Sequence, residues 1–204
     1  MSIPEKALTP SALATVLAIV LLAMPVSSSA SVPVTHFQAN GTSASVFSCN
    51  NVSGVCATVF VSLGGNPNAP QTFLFYDLFL PSGDQFIGFG TIPNADLTVN
   101  DSRTLTLSTD TSTIEGFTNL FCDVNFNCET AAGGVVSGVW KKTNFFSIHS
   151  TFSNVDNFKP VLVISNGTGD VFSATAQFSV LGNSFSDIGQ IGTQHNTGVT
   201  VQVQ

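Results

Sequence analysis

The chain has 204 residues, of which 43% are hydrophobic and only 8% are charged. This apolar fraction suffices for a core and excludes general disorder, and the length predicts one domain. Five Lys and Arg residues stand against twelve Asp and Glu residues, which gives a formal net charge of −7. So few cations cannot neutralise a phosphate track, so we expect no nucleic-acid partner.

The first thirty residues are typical of a secretory signal peptide. Lys6 precedes an apolar run, residues 12–24 (ALATVLAIVLLAM), which Pro25 ends before the small residues that close at Ala30. The run is shorter than the roughly 20 residues that a membrane-spanning helix needs. We predict a signal peptide at 1–30, a domain at 31–204 without a membrane span, and secretion (into the periplasm if the source is Gram-negative).

Export makes the four cysteines informative, because disulfides form in oxidising compartments. Cys49 and Cys56 form one close pair in sequence, and Cys122 and Cys128 form another. Four cysteines allow three connectivities, of which the spacing favours Cys49–Cys56 and Cys122–Cys128. Zinc is disfavoured, because neither pair has the spacing of a zinc ligand pair.

Alternation of apolar and polar residues dominates the chain after residue 31. It is clearest in residues 55–63, 103–109, 170–181 and 199–204, and turn-rich clusters separate the alternating runs. Period-two alternation is typical of strands with one buried face. We therefore predict an all-β fold, a single antiparallel, jelly-roll-like β-sandwich of about ten to twelve strands, with a closed barrel as the alternative and a helix only in the signal peptide.

Two stretches depart from simple alternation. Residues 72–80 (TFLFYDLFL) are apolar on both faces, which predicts a central strand covered on both sides or half of an interface. Residues 133–152 resemble two strands that meet near residues 141–144.

Several segments together resemble an uncharacterised group of small bacterial exported all-β proteins. They are GTSASVF (41–47), the lone Trp140 in a strand, FSATAQFSV (172–180) and a short terminal strand that begins with Gly and Val. The resemblance implies an all-β fold and an exported setting, and it implies neither an activity nor a functional residue.

Asp77 and His149 are the candidate catalytic residues. Asp77 stands within an apolar strand, where burial would raise its pKa as a general acid requires, with Glu115 or Glu129 as companions. His149 alternates with hydroxyl residues on a predicted wet face. Each also has a purely structural interpretation, and the sequence has no G-x-S-x-G nucleophile motif.

Trp140 and His195 are the candidate binding residues. A sugar-binding module would need Trp140 or Tyr76 exposed, whereas the strand position of Trp140 favours the core. His195 lies in a predicted loop, and no motif unites it with His36 or His149 in a metal site. Turn segments 154–157 and 166–170 carry oxygen ligands but lack a calcium-loop pattern. We therefore predict neither a metal nor a cofactor.

The leading functional hypothesis is a secreted, non-catalytic β-sandwich with a structural or binding role at or outside the cell surface. Its polar strand faces carry Thr, Ser, Asn and Gln rather than charges, which suits carbohydrate binding or self-association. The alternative is a secreted polysaccharide hydrolase or lyase that uses Asp77 with a histidine or a second carboxylate.

Overall fold

Strands account for nearly all regular structure in the described part of the chain. The computed structural model describes residues 37–66, 69–100, 103–158 and 161–202, so the predicted signal peptide and its helix lie outside the described residues. The strands are β1 (Phe37–Cys49), β2 (Cys56–Asn66), β3 (Ala69–Phe79), β4 (Gln85–Ile92), β5 (Leu97–Asn100), β6 (Thr104–Asp110), β7 (Thr118–Cys122), β8 (Cys128–Thr130), β9 (Val135–Phe158), β10 (Val161–Val180) and β11 (Asn183–Gln202). A 3-10 turn, Asn94–Asp96, precedes β5. In these ranges, no helix has the length and apolarity required to cross a membrane.

The strands pair in one antiparallel sheet of eleven strands, in the order β5-β6-β9-β10-β11-β1-β2-β3-β4-β7-β8. The all-β class, the antiparallel pairing and the strand number are therefore confirmed. The sheet is continuous, whereas a sandwich divides its strands between two sheets. It is also not closed, so the barrel alternative is wrong: β5 and β8 end it.

Side-chain hydrogen bonds hold the two ends of the sheet near each other. Thr72 of β3 donates to the Asn94 side chain, just before edge strand β5, at 2.8 Å. Thr111, which follows β6, donates to Asn119 Oδ1 of β7 at 3.1 Å, and Tyr76 donates to the same oxygen at 2.7 Å. The sheet therefore curls, because residues next to its β5–β6 end bond to residues of β3 and β7.

The curled sheet encloses one hydrophobic core on its inner side. Alternate residues of the strands that line the core point inward, as the period-two pattern predicts. Core side chains that are almost fully buried are Val59, Val61, Leu74, Tyr76, Leu78, Leu105, Leu107, Val136, Trp140, Val180 and Ile191. We call this side of the sheet the core side and the opposite side the outer side.

The strand β9 corrects the prediction of two strands in residues 133–152. It runs without interruption as Val135–Phe158, and its register against β10 shifts where the break was expected. Phe172 of β10 lies opposite Ser147, and Ala174 lies opposite Lys142. The polar residues near 141–144 therefore mark extra residues in one strand, an irregularity of the bulge type.

Both predicted disulfides are confirmed. Cys49 bonds to Cys56 and Cys122 bonds to Cys128, and no free cysteine occurs among the described residues. In each pair the two cysteines are direct cross-strand partners, in β1–β2 and in β7–β8. Each bond therefore fastens a hairpin at its turn.

We expect the double variant Cys49→Ser, Cys56→Ser to lose about 2 kcal/mol of unfolding free energy, because the bond restricts a short loop in the unfolded chain. Urea unfolding of both proteins under oxidising conditions measures this loss. An unchanged midpoint would show that the bond does not constrain the unfolded state.

Candidate functional site

Asp77 lies on β3 and points to the outer side of the sheet. Its cross-strand partners are Thr58 of β2 and Ile87 of β4, neither of which carries a charge. Its Oδ1 atom is buried and has no hydrogen-bond partner in the described structure. Burial raises the pKa of this carboxyl group to about 7, as the sequence led us to expect.

Phenylalanines surround Asp77 on the outer side of β1–β4, and we call them the aromatic face. Its members are Phe47, Phe60, Phe73, Phe75, Phe79 and Phe89. Phe47, Phe79 and Phe89 are 41%, 39% and 40% exposed, respectively. Strand β3 is therefore covered by the core on one side only, and the part of the chain that the structure describes packs no further layer on its other side.

His149 and His195 lie together on a different surface. The sheet extends past the last buried residues of the core at one end of β9, β10, β11 and β1. We call this part of the sheet the arm, and it comprises residues 148–158 of β9, 161–171 of β10 and 192–202 of β11, next to the start of β1. Directly paired positions on the core side of the sheet form polar rows along the arm: His149, Asp170, Thr193 and Thr42 in one row, and Thr151, Thr168, His195 and Asn40 in the next. This polar arm face includes an open depression of about 430 Å³.

Both histidines of the arm make hydrogen bonds to neighbouring strands. His149 Nδ1 lies 2.7 Å from Asp170 Oδ1, and the His149 and Asp170 side chains are 63% and 40% exposed, respectively. His195 Nδ1 bonds to the Asn40 side chain of β1. Solvent-exposed contacts between such side chains contribute little to stability, so the arm holds these groups mainly through its sheet geometry.

The strand register separates Asp77 from both described histidines. Asp77 aligns with Thr58 and then with Phe47 of β1, whereas the His149 row reaches Thr42 of the same strand. Thr42 and Phe47 are five residues apart, so their side chains point to opposite sides of the sheet. Asp77 and His149 therefore cannot act on one substrate atom.

The carboxylates that were considered as companions also lie away from Asp77. Glu115 lines a different open depression of about 570 Å³, together with Asp96 and Asp110. Glu129 is exposed on the edge strand β8, three strands from β3. No group of three or more His, Cys, Asp or Glu side chains could hold a metal ion within the described ranges.

The two aromatic residues with polar atoms are both inside the core. Trp140 is 0% exposed and Tyr76 is 1% exposed, so neither offers a surface on which a sugar ring could stack. Trp140 is therefore corrected from a candidate binding residue to a core residue. His195 does line the depression on the polar arm face.

Sequence reasoning missed the aromatic face as a surface. Phenylalanine is usually found in cores, so the 18 phenylalanines of the chain did not by themselves indicate a surface. The signal was present in residues 72–80, whose two apolar faces already suggested an interface.

Comparison with known proteins adds no relative: no protein-family model, no curated protein and no solved structure matches this chain. The resemblance to exported bacterial all-β proteins therefore stays a prediction.

Proposed function

We propose that this protein is exported, is not an enzyme, and acts outside the cell through the surfaces of its sheet, as a structural element or a binding module. Two disulfides are compatible with an oxidising compartment. In this proposal the curled sheet serves as the scaffold, and carbohydrate or a second protein surface outside the cell is the candidate partner.

The aromatic face is the observation that carries the proposal. Three phenylalanines, each about two-fifths exposed, stand on β1, β3 and β4 of the four successive strands β1–β4. Contiguous apolar surface of this kind marks interaction sites in soluble proteins, whereas single exposed apolar residues do not. Flat strand faces also suit contact with another surface better than they suit a reaction that needs an enclosed pocket.

A secreted hydrolase or lyase is the second candidate, and the raised pKa of Asp77 favours it. Such an enzyme needs a second catalytic group within reach of the same substrate. The cross-strand partners of Asp77 are Thr58 and Ile87, and both described histidines lie on the other side of the sheet. This arrangement weighs against the enzyme.

We expect the protein comprising residues 31–204 to show no turnover in a panel of polysaccharide hydrolase and lyase substrates. A glycan array, run in parallel, records whether the protein binds carbohydrate. Turnover that disappears in Asp77→Asn would contradict the proposal and would support the enzyme.

The contribution of the aromatic face is measured by retention on a phenyl-substituted matrix. Phe89→Ser is compared with Ile188→Ser, because Phe89 is 40% exposed within the aromatic face, whereas Ile188 is 72% exposed but lies on β11, away from that face. A contiguous binding surface predicts the larger loss of retention for Phe89→Ser. If isolated exposed area decided retention, Ile188→Ser would have the larger effect.

A further inference from the structure

The arm has a long strand edge that no other described strand covers. Residues 148–158 of β9 pair with β10 on one side. On the other side of β9, the pairing with β6 ends where Thr104 lies opposite Lys141. Beyond that point none of the described strands supplies partners for the backbone N–H and C=O groups along this edge.

The other edges of the described sheet are shorter. The strands that end the sheet order are short, β5 at four residues and β8 at three, and the Cys122–Cys128 disulfide fastens the latter. Short edge strands, prolines and lysines are the usual protections against strand addition. Residues 148–158 (IHSTFSNVDNF) are long by comparison and contain neither proline nor lysine.

We propose that two copies of this protein pair antiparallel through the free edges formed by residues 148–158 of β9, so that their sheets become continuous across a two-fold axis. This inference is independent of the proposed function, because it rests on backbone pairing rather than on the aromatic face or on Asp77.

A second copy fits this edge because an antiparallel edge is complementary to itself. Two-fold pairing uses the same residues of both copies and satisfies the same backbone groups on each. On the opposite side of the arm, β11 is paired with β1 from Gly198 inward. Among the described residues, residues 148–158 form the long free edge and residues 199–202 of β11 a short one, so pairing through the long edges closes at two copies.

The side chains next to the edge are also compatible with a second copy. Ser150, Thr151 and Ser153, in the middle of the segment, are exposed and uncharged, so a two-fold axis near these residues keeps the Asp156 positions of the two copies apart. The Asp170 carboxylate, one strand inward, has His149 as its partner. The net charge of −7 on each chain opposes association at long range, and salt screens this repulsion. Dimerisation should therefore strengthen with ionic strength.

The test measures the molar mass of residues 31–204 by analytical ultracentrifugation over a concentration series. The edge variant is Thr151→Lys with Ser153→Lys. Its matched control is Thr168→Lys with Asn166→Lys, because these residues are exposed and are the direct partners of Thr151 and Ser153 on the inner strand β10. We expect a wild-type dimer, a loss of affinity of roughly tenfold or more in the edge variant, and a much smaller loss in the control.

Cysteine scanning then tests the antiparallel pairing. Single substitutions Ser150→Cys, Thr151→Cys and Ser153→Cys are oxidised, and the fraction of disulfide-linked dimer is measured. Two-fold pairing predicts efficient linkage at the position nearest the axis and a decrease at the others.

Three results would overturn the proposal. The first is a wild-type protein that stays monomeric into the hundred-micromolar range. The second is an equal loss of dimer affinity in the edge variant and in its control. The third is oligomers that grow beyond two copies. None of these results depends on whether the protein is an enzyme, so failure of this proposal is distinguishable from failure of the proposed function.

Discussion

Truncation of Trp140 to alanine is expected to cost about 3–5 kcal/mol of unfolding free energy, the largest single effect that we predict. Trp140 is 0% exposed and lies between Leu105 of β6 and Ala176 of β10, its direct cross-strand partners. Removal of the indole would leave a cavity that rigid strands cannot fill. Urea unfolding followed by far-UV circular dichroism measures the loss, and Trp140→Phe should lose much less.

Gly138 provides a specific control for this prediction, because the indole ring lies over it. A Cβ atom added at Gly138 would come within 2.6 Å of two ring carbons of Trp140. Gly138→Ala alone should therefore be destabilising by about 1–3 kcal/mol, through overpacking. In the Trp140→Ala background the same substitution should cost little. A double-mutant cycle with additive effects would contradict this packing.

The sequence predicted the individual strands better than their assembly. Alternation depends only on neighbouring residues, so runs such as residues 55–63 correctly indicated which side chains face the core. Whether eleven strands form one sheet or two depends on pairings between distant segments, which alternation does not encode. Strand β9 shows the same limit: residues 141–144 led us to predict a break between two strands, whereas the pairing with β10 continues beyond them in a single strand.

The candidate site divides in the same way. The apolar neighbours of Asp77 in sequence were enough to predict a raised pKa, because its strand neighbours Phe75 and Phe79 share its side of the sheet. The sequence could not tell that Asp77 and His149 lie on opposite sides, since this relation passes through β2, β1, β11 and β10. The identification of the aromatic face needed the same information, because it requires several strands in register.

The stability of the protein should decrease as the pH rises from about 4 to about 7, and Asp77 should cause much of this decrease. The folded state raises the pKa of the carboxyl group from 3.8 to about 7 by burial. Between these values the folded chain retains a proton that the unfolded chain has lost, so rising pH favours unfolding. Above pH 7 both states are ionised, and the folded state bears the full cost of the buried charge.

We expect Asp77→Asn to remove this dependence and to raise the unfolding free energy at pH 8 by about 2–3 kcal/mol. The full pKa shift corresponds to roughly 4 kcal/mol, and we reduce this value because the side chain is only partly buried and water screens its charge. Urea unfolding at pH 4 and pH 8 measures both effects. Glu129→Gln, which removes an exposed carboxylate from β8, is the control. The contradicting result would be an equal loss of unfolding free energy between pH 4 and pH 8 in Asp77→Asn and in the wild type. Asp77 would then be an ordinary solvated carboxylate. Neither its burial within the aromatic face nor its use as a general acid could be maintained.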